Sequence, residues 1–372
     1  MMPTHLLIGS CICRHYYQGG FYVRYGADYN AELDPDQIGE LFGRAEQNLW
    51  FSYLLHSFDP GKGWIDFEQE IRQVIQTISI AVNSFYREGE IYIHVDDEDS
   101  KTAHILAQFP FFYDENLIDG IYDSRSVTFY PILQKYLLEE PIGSGEVHID
   151  KTQIASDLYN ELRTMAGMLS AYLRLFVDKP VENLAKHGKV KLDDLLQAQD
   201  WRESQTVSFN YTHTMQRLYH NGWALQPTIH YIHGELTDGN EAGIVLGFDA
   251  DELDELGNVD VTFVQFKKYF QRVFYRTDLS YISLLDSMEG KKQTFDYITL
   301  RVIGHSLDFT DREIIRDCFL GAGRIIIYYH SNTALTDYIR NLVKIFGKRE
   351  FDRLRTQKNL VFLPITDLDK KS

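Results

Sequence analysis

The stretch SFNYTHTMQRLYHNGWALQPTIHYIHGEL, residues 208–236, decides how the chain is interpreted. Two apolar runs of β type flank a short helical segment, and each run ends on polar residues. Asn210 and Thr212 end the first run, and His230 and His233 lie in the second. Open α/β sheets bind their ligands outside the carboxyl ends of the strands, so this stretch is where a site is expected first.

Further apolar runs predict an α/β fold. THLLIGS, residues 4–10, predicts a buried first strand that ends at Gly9 and Ser10. The strand candidates after residue 200 are TVSFNYT, TIHYIHGEL, GIVLGF, DYITLRVIGHSL, RIIIYYH and NLVFLPI. Several are nearly continuous in apolar residues, as expected of strands covered on both faces. The helical patterns between some of them are at 263–275, 311–319 and 333–346.

The region between these two parts has a helical pattern. Helices are predicted at 34–58, 64–86 and 154–176, with one strand, EIYIHV, at 90–95. We therefore predict an α/β, Rossmann-like and mostly parallel sheet with a large helical insertion. Its core comprises residues 1–30 and 200–372, and residues 31–199 form the largely helical insertion or subdomain.

Composition excludes several classes of protein. The chain of 372 residues has a formal net charge of −17 and a pI near 5.2, which argues against general nucleic-acid binding. Its three cysteines cannot form a disulfide framework. No apolar run approaches the roughly 18–20 residues that a membrane span needs. We expect a cytoplasmic protein without a membrane partner.

Two groups of side chains suit ligand binding. In the opening stretch, the Asn210 amide offers a donor and an acceptor, His233 can act as a base, and Gly234 allows the backbone to approach a ligand closely. The second group is VIGHSLDFTDREII, residues 302–315, where a Gly-His-Ser run follows a predicted strand. Here Asp308 or Asp311 can cap the helix that follows.

Three other patterns are weaker. Cys11, Cys13 and His15 alternate as three ligands would in a strand, but a fourth ligand and structural zinc spacing are missing. DDEDS, residues 96–100, is interpreted as a solvated loop. WIDFE, residues 64–68, carries two acids that do not share a helix face, so a cap or an ion pair is favoured over catalysis.

Four of these pieces resemble the bacterial abortive infection AbiH family. They are FNYT, IHYIHG with IVLGF behind it, GHSLDFTD, and WIDFE, and their order along the chain agrees with the family. Each piece alone is short, whereas four in order are more specific. The family in turn is distantly similar to sirtuin-like domains, which bind NAD.

The sirtuin-like resemblance implies roles for individual residues. Asn210 would orient the nicotinamide ribose or the attacking water, and His233 would be the base that touches a ribose hydroxyl. Gly304 and Ser306 would contact the cofactor. Thr212 stands where sirtuin-like domains often have Asp, which weakens the catalytic interpretation without excluding binding. The cofactor-binding set implied is Gly9, Ser10, Arg14, Thr212, Gly234, Gly304, His305, Ser306 and Asp308.

The N-terminus departs from the family. The family usually opens with a strand and a Gly-Asn-Gly-Phe-Asp type of turn, whereas this chain has LLIGSCICRHY. Gly9 is kept, but the second glycine and the aspartate are missing. Such a turn normally holds a pyrophosphate, and Arg14 or His15 is the candidate replacement for that contact.

Two hypotheses follow from the resemblance. The first is an anti-phage defence protein that binds NAD or a related nucleotide. In its stronger form, the protein also hydrolyses the nicotinamide–ribose bond. The second is a non-catalytic sensor or scaffold in a defence complex, with a vestigial nucleotide pocket, which recognises a phage component or a partner protein. A homo-oligomer is expected in either case. Nuclease action is less attractive because the chain is acidic and has no convincing metal-carboxylate motif.

Overall fold

The described part of the chain combines helices with short strands in four sheets. The computed structural model describes residues 43–57, 67–83, 85–88, 90–96, 101, 105–106, 108–109, 127–131, 133–139, 147–178, 205–214, 216, 228–237, 243–249, 261–277, 279, 281–283 and 299–364. The helices are α1 (Leu49–Ser57), α2 (Phe67–Asn83), α3 (Lys151–Leu173), α4 (Lys268–Tyr275), α5 (Arg312–Gly321) and α6 (Asn332–Gln357). The strands are β1 (Phe85–Glu88), β2 (Glu90–Asp96), β3 (Val127–Pro131), β4 (Leu137–Glu139), β5 (Val147–Ile149), β6 (Thr206–Ser208), β7 (Ile229–Tyr231), β8 (Thr299–Ile303), β9 (Arg324–Tyr329) and β10 (Val361–Pro364).

The C-terminal part forms a parallel sheet of three strands in the order β10-β9-β8. Parallel neighbours need crossover connections, and α5 and α6 supply them. Ile325 and Ile327 of β9 pack in one core cluster with Ile315 of α5 and Leu342 of α6. The successive apolar residues of β9 are buried, as the sequence pattern predicted for a strand covered on both faces.

A second parallel pair lies earlier in the chain. β6 and β7 pair in parallel, with Val207 opposite His230. The described residues thus confirm a mixed α and β protein with small parallel sheets. A single Rossmann-like sheet that joins them stays a prediction. The predicted first strand with Gly9, Ser10 and Arg14 lies outside the described residues, as do Cys11, Cys13 and His15.

The run at residues 243–248 corrects one strand prediction. Ile244, Val245 and Leu246 are buried, which explains their apolar character, yet this segment forms only an isolated bridge, at Phe248. The Gln271 side chain accepts a hydrogen bond from the Leu246 N–H at 2.8 Å and donates one to the Leu246 carbonyl at 2.7 Å. One side-chain amide therefore replaces a neighbouring strand, and the strand prediction for GIVLGF is wrong.

The region predicted as an insertion contains helices and antiparallel strands. The predictions of helices near 34–58, 64–86 and 154–176 correspond to α1, α2 and α3. Strands β1 to β5 also lie here, in an antiparallel sheet of three strands and another of two. The three helices share one hydrophobic core, which also contains Tyr211, Leu236, Ile244, Leu246, Phe248, Phe263 and Phe266. The insertion is thus packed directly against the stretch that carries the candidate site, while its boundaries stay a prediction.

Helix α3 has a sharp start and an unusual end. Asp150 accepts a hydrogen bond from the Gln153 N–H at 2.9 Å and thereby caps the helix. Buried residues at steps of three and four, including Leu158 and Leu162, face the shared core. The helix continues as a π-turn, Arg174–Asp178, which ends on the buried Asp178.

Gly234 lies at a close backbone crossing. Its φ is +83°, and a Cβ placed there would lie 1.9 Å from the Gly243 carbonyl oxygen. The sequence predicted that the backbone at this glycine closely approaches a ligand. In the structure the approaching group is the chain itself, at the segment that also accommodates Gln271.

We expect Gly234→Ala to lower the free energy of unfolding by about 2–4 kcal/mol, because the new Cβ meets backbone and the φ disfavours an L side chain. Gly167→Ala is the matched control, since a Cβ at this α3 position meets nothing within 4 Å. There we expect a gain of up to about 1 kcal/mol from helix propensity. Urea unfolding of both variants measures the difference, and equal midpoints would contradict this account.

Candidate active site

Polar residues at the ends of strands converge on one buried carboxylate, Asp311. Its Oδ1 accepts hydrogen bonds from Lys268 Nζ at 2.8 Å and from His233 Nε2 at 3.0 Å. His305 Nε2 lies 3.4 Å from its Oδ2. His233 follows β7, and His305 and Asp311 follow β8, so two separate strand ends meet at this group. We call Glu68, His233, Lys268, His305 and Asp311 the buried ionic cluster.

Lys268 connects the cluster to the insertion. Its ammonium lies 2.6 Å from Glu68 Oε1 as well as 2.8 Å from Asp311, and its side chain is 1% exposed. Glu68 belongs to the WIDFE stretch and lies in the first turn of α2. A cap or an ion pair was predicted for the acids of WIDFE, and Glu68 forms an ion pair with Lys268. The other acid, Asp66, lies outside the described residues. No pattern in the sequence pointed to Lys268.

The aromatic residues of FNYT line the same cluster. The Phe209 ring centroid lies 5.7 Å from that of His233 and 4.1 Å from that of His305. Tyr211 lies 6.5 Å from His233 and donates its hydroxyl hydrogen to the Val245 carbonyl at 2.8 Å. The four stretches that carry the family resemblance therefore each contribute a residue in or against one site.

Opposing charges set the protonation of the cluster. Burial alone would raise the pKa of Asp311, but Lys268 and the two histidines lower it well below its ordinary value. Burial opposes the charge of Lys268, yet Asp311 and Glu68 raise its pKa. Burial, opposed by Lys268, raises the pKa of Glu68 to about 7. Burial and then Lys268 lower the pKa of His233 to about 4, so this imidazole is neutral at physiological pH.

The hydrogen bonds also assign the tautomers. A carboxylate only accepts, so the proton of neutral His233 is on Nε2, which faces Asp311, and the lone pair is on Nδ1. His305 Nδ1 accepts the Leu307 N–H at 2.8 Å, which leaves the His305 proton on Nε2. Leu307, which donates this hydrogen bond, has a positive φ of 55°. This conformation is strained for a residue with a side chain, and strained residues of this kind cluster at functional sites.

A further ion pair flanks the cluster. Arg272, one turn after Lys268 on α4, lies 3.8 Å from Asp249 and 3.7 Å from Glu313. Burial raises the pKa of Asp249 to about 6, although Lys268 and Arg272 oppose this rise. Helix α4 thus turns charged side chains inward, whereas its Val273 and Phe274 are 64% and 56% exposed. Apolar periodicity points to the opposite face, which is why Lys268 and Arg272 were missed.

The other predicted site residues do not belong to the buried ionic cluster. Asn210 donates its backbone N–H to Ser208 Oγ at 3.2 Å, directly after β6. Thr212 is buried, with its hydroxyl 3.0 Å from that of Thr214. Gly304 is exposed, with a φ of 69°. The Ser306 carbonyl accepts from the Asn341 amide at 3.1 Å.

The two aspartates proposed as helix caps have different roles. Asp308 accepts the Thr310 N–H at 3.1 Å and caps the short 3-10 turn Phe309–Asp311. Asp311 precedes α5 but makes no side-chain cap there. Its carboxylate instead holds Lys268 and His233. Of the two alternatives, Asp308 is therefore the cap, at the 3-10 turn that leads into α5.

These features define a mixed α and β protein with an ionic site at the ends of short parallel strands. The family model described as "Bacteriophage abortive infection AbiH" matches residues 27–320, and the chain belongs to that family. No curated protein and no solved structure matches the chain significantly. None of the helices in the described ranges has the length and apolar character to cross a membrane. Within those ranges, no three His, Cys, Asp or Glu side chains are grouped to hold a metal ion.

We expect Lys268→Met to lower the free energy of unfolding by about 3–5 kcal/mol, because Glu68 and Asp311 lose their common cation. Lys348→Met, on an exposed position of α6, is the matched control and should stay within about 0.5 kcal/mol of wild type. Urea unfolding at constant pH measures both. A loss no larger than that of the control would show that the cluster adds little to stability.

The depressed pKa of His233 predicts a loss of stability in acid. An unfolded histidine takes up a proton near 6.5, whereas the folded state resists protonation until about 4. The contribution is therefore complete above pH 6.5 and is lost as the pH falls towards 4. Relative to His233→Gln, wild type should lose about 1 kcal/mol per pH unit across this window. Parallel stability curves for the two proteins would refute this assignment.

Proposed function

We propose that the chain is an abortive-infection effector that binds NAD or a related nucleotide beside the buried ionic cluster and hydrolyses the nicotinamide–ribose bond. The observation that carries this proposal is the convergence of distant motifs on Asp311. His233 and Asp311 are 78 residues apart in the chain, and Nε2 of the histidine lies 3.0 Å from the carboxylate. Such convergence of titratable groups with shifted pKa values is typical of functional sites.

The protonation states suit a nucleotide ribose. Neutral His233 carries its lone pair on Nδ1, so it accepts a hydrogen bond from a ribose hydroxyl throughout the physiological pH range. Asn210, just after β6, would orient the ribose or the attacking water through its side-chain amide. Cleavage of the bond leaves positive charge on the ribose, and the carboxylate of Asp311 would stabilise this charge electrostatically.

The fold supports the same placement. β6 with β7 and β8 with β9 are parallel pairs, and ligands of parallel α/β sheets bind outside the carboxyl ends of the strands. The Rossmann-like, sirtuin-related sheet is part of this proposal. The proposal also includes phosphate contacts from Gly9, Ser10 and Arg14. It further includes cofactor contacts from Gly304, His305, Ser306 and Asp308.

The second candidate function is a sensor or scaffold with a vestigial pocket. The existing ion pairs favour it, because the Lys268 ammonium is already paired with both Glu68 and Asp311. His233 is only 2% exposed. A network of this kind is also suited to holding the insertion against the sheet. In this case the chain would form a homo-oligomer or bind a defence partner or phage component without turnover.

An NAD consumption assay on the purified protein, with and without phage lysate, separates the two candidates. For the effector we expect His233→Gln and Asn210→Ala to lower the rate at least about 100-fold, because each removes a hydrogen bond made at the reacting ribose. His230→Gln is the matched control, since this buried histidine of β7 lies 3.1 Å from Gln205 Oε1 and outside the cluster. Its rate should stay near that of wild type.

Circular dichroism and the oligomeric mass of each variant accompany the assay. Folded wild type that neither binds nor consumes NAD in the presence of lysate would overturn the effector proposal. A stable oligomer or partner complex under those conditions would support the sensor or scaffold. Equal rates for wild type and both site variants would refute the residue assignment.

A further inference from the structure

A second histidine lies at the same strand ends, outside the buried ionic cluster. His213 Nδ1 lies 2.8 Å from Asp178 Oδ2, and the His213 backbone N–H donates to Asp178 Oδ1 at 3.1 Å. The Asp178 side chain is 4% exposed, so one buried carboxylate holds both the ring and the backbone of the histidine. The proton on Nδ1 belongs to this bond, which leaves the lone pair of the neutral ring on Nε2.

The surroundings of Nε2 suit a group that gains a proton. Glu235 Oε2 lies 3.5 Å from Nε2, and the Tyr231 ring packs edge-on at 5.8 Å from the imidazole. The His213 side chain is 20% exposed, whereas that of His233 is 3% exposed. Water therefore reaches His213 more readily than His233. An imidazolium formed at His213 would lie between two carboxylates, which stabilise its charge.

The position of these groups in the fold joins them to the proposed active site. His213 follows β6 and Asn210, and Glu235 follows β7 and His233, so all four lie at the carboxyl ends of one parallel pair. Asp178 reaches this edge from the π-turn after α3. A histidine whose Nδ1 is held by a buried aspartate is an arrangement that enzymes use for general-base catalysis.

We propose that His213 is the catalytic base that activates water in the hydrolysis proposed above, with Asp178 and Glu235 as positioning residues; the proposal rests on that function. A bound water gives a proton to Nε2 as its oxygen attacks C1′ of the ribose. The bond from C1′ to the nicotinamide ring nitrogen breaks, and its electron pair stays with that nitrogen. Nicotinamide leaves neutral, ADP-ribose forms, and His213 returns its proton to solvent.

His213→Asn tests the base, because the shorter amide can still donate to Asp178 while the accepting ring nitrogen is lost. We expect the single-turnover rate of NAD cleavage to fall about 10²–10⁴-fold with NAD affinity retained. His56→Asn is the matched control, since this exposed α1 histidine contacts only the Ser52 carbonyl among the partners described, at 2.7 Å. Its rate should equal that of wild type.

Asp178→Asn tests the positioning. Its amide oxygen can still accept the backbone N–H, but its NH₂ group opposes the proton on Nδ1 and favours the other tautomer. We expect a slower rate and an acid limb of the pH–rate profile that moves to lower pH, because the imidazolium loses one of its carboxylates. A role confined to folding would leave this limb in place.

The rate at which diethyl pyrocarbonate acylates each histidine, measured by mass spectrometry, reports the nucleophilicity of its ring nitrogen. This measurement needs no nucleotide. We expect His213 to react faster than His233, and Asp178→Asn to slow its reaction. If wild type cleaves NAD and folded His213→Asn cleaves it equally fast, the base assignment is overturned and the proposed function stands. If wild type cleaves no NAD, the proposed function fails, and the acylation rates alone decide whether Asp178 and His213 form a basic pair.

Discussion

The ammonium of Lys268 is the group on which the arrangement of the described chain depends. A buried ammonium costs several kcal/mol unless carboxylates surround it, and here Glu68 and Asp311 do so at 2.6 and 2.8 Å. The three residues come from α2, α4 and the segment before α5. Because removing Lys268 would leave both carboxylates without their common cation, its two ion pairs tie the three elements together. The same arrangement also brings His233 and His305 to Asp311.

The region predicted as an insertion contributes side chains to the site as well as packing against it. Glu68 from α2 neutralises Lys268, and Asp178 from the π-turn after α3 holds His213. Asp178 contacts His213 after β6 directly, whereas Glu68 is joined to Asp311 through Lys268 of α4. A shared hydrophobic core fixes the distance between the insertion and those strand ends. This region therefore supplies two acids of the site, whereas Asp311 comes from the same part of the chain as the histidines.

Local patterns predicted the regular elements well and the chemistry less well. The spacing of apolar residues predicted α3, and the apolar run of β9 predicted a strand covered on both faces. The same rule failed at GIVLGF, where Gln271 takes the place of a strand. At α4 the helix itself was predicted, but the pattern did not indicate that Lys268 and Arg272 are buried while Phe274 is exposed. Burial is inferred correctly from hydrophobicity only when no ionic network competes for the interior.

By itself, the sequence determined the helices, most of the strands, the family resemblance and the candidates His233 and His305. These follow from periodicity and from short motifs, which are local properties of the chain. Only the tertiary structure decided that Asp311 is a shared acceptor, that Lys268 is buried and that Asp178 holds His213. The groups of these contacts are 78, 43 and 35 residues apart, so no local pattern encodes them. Their charges become strongly coupled only where folding removes the water between them.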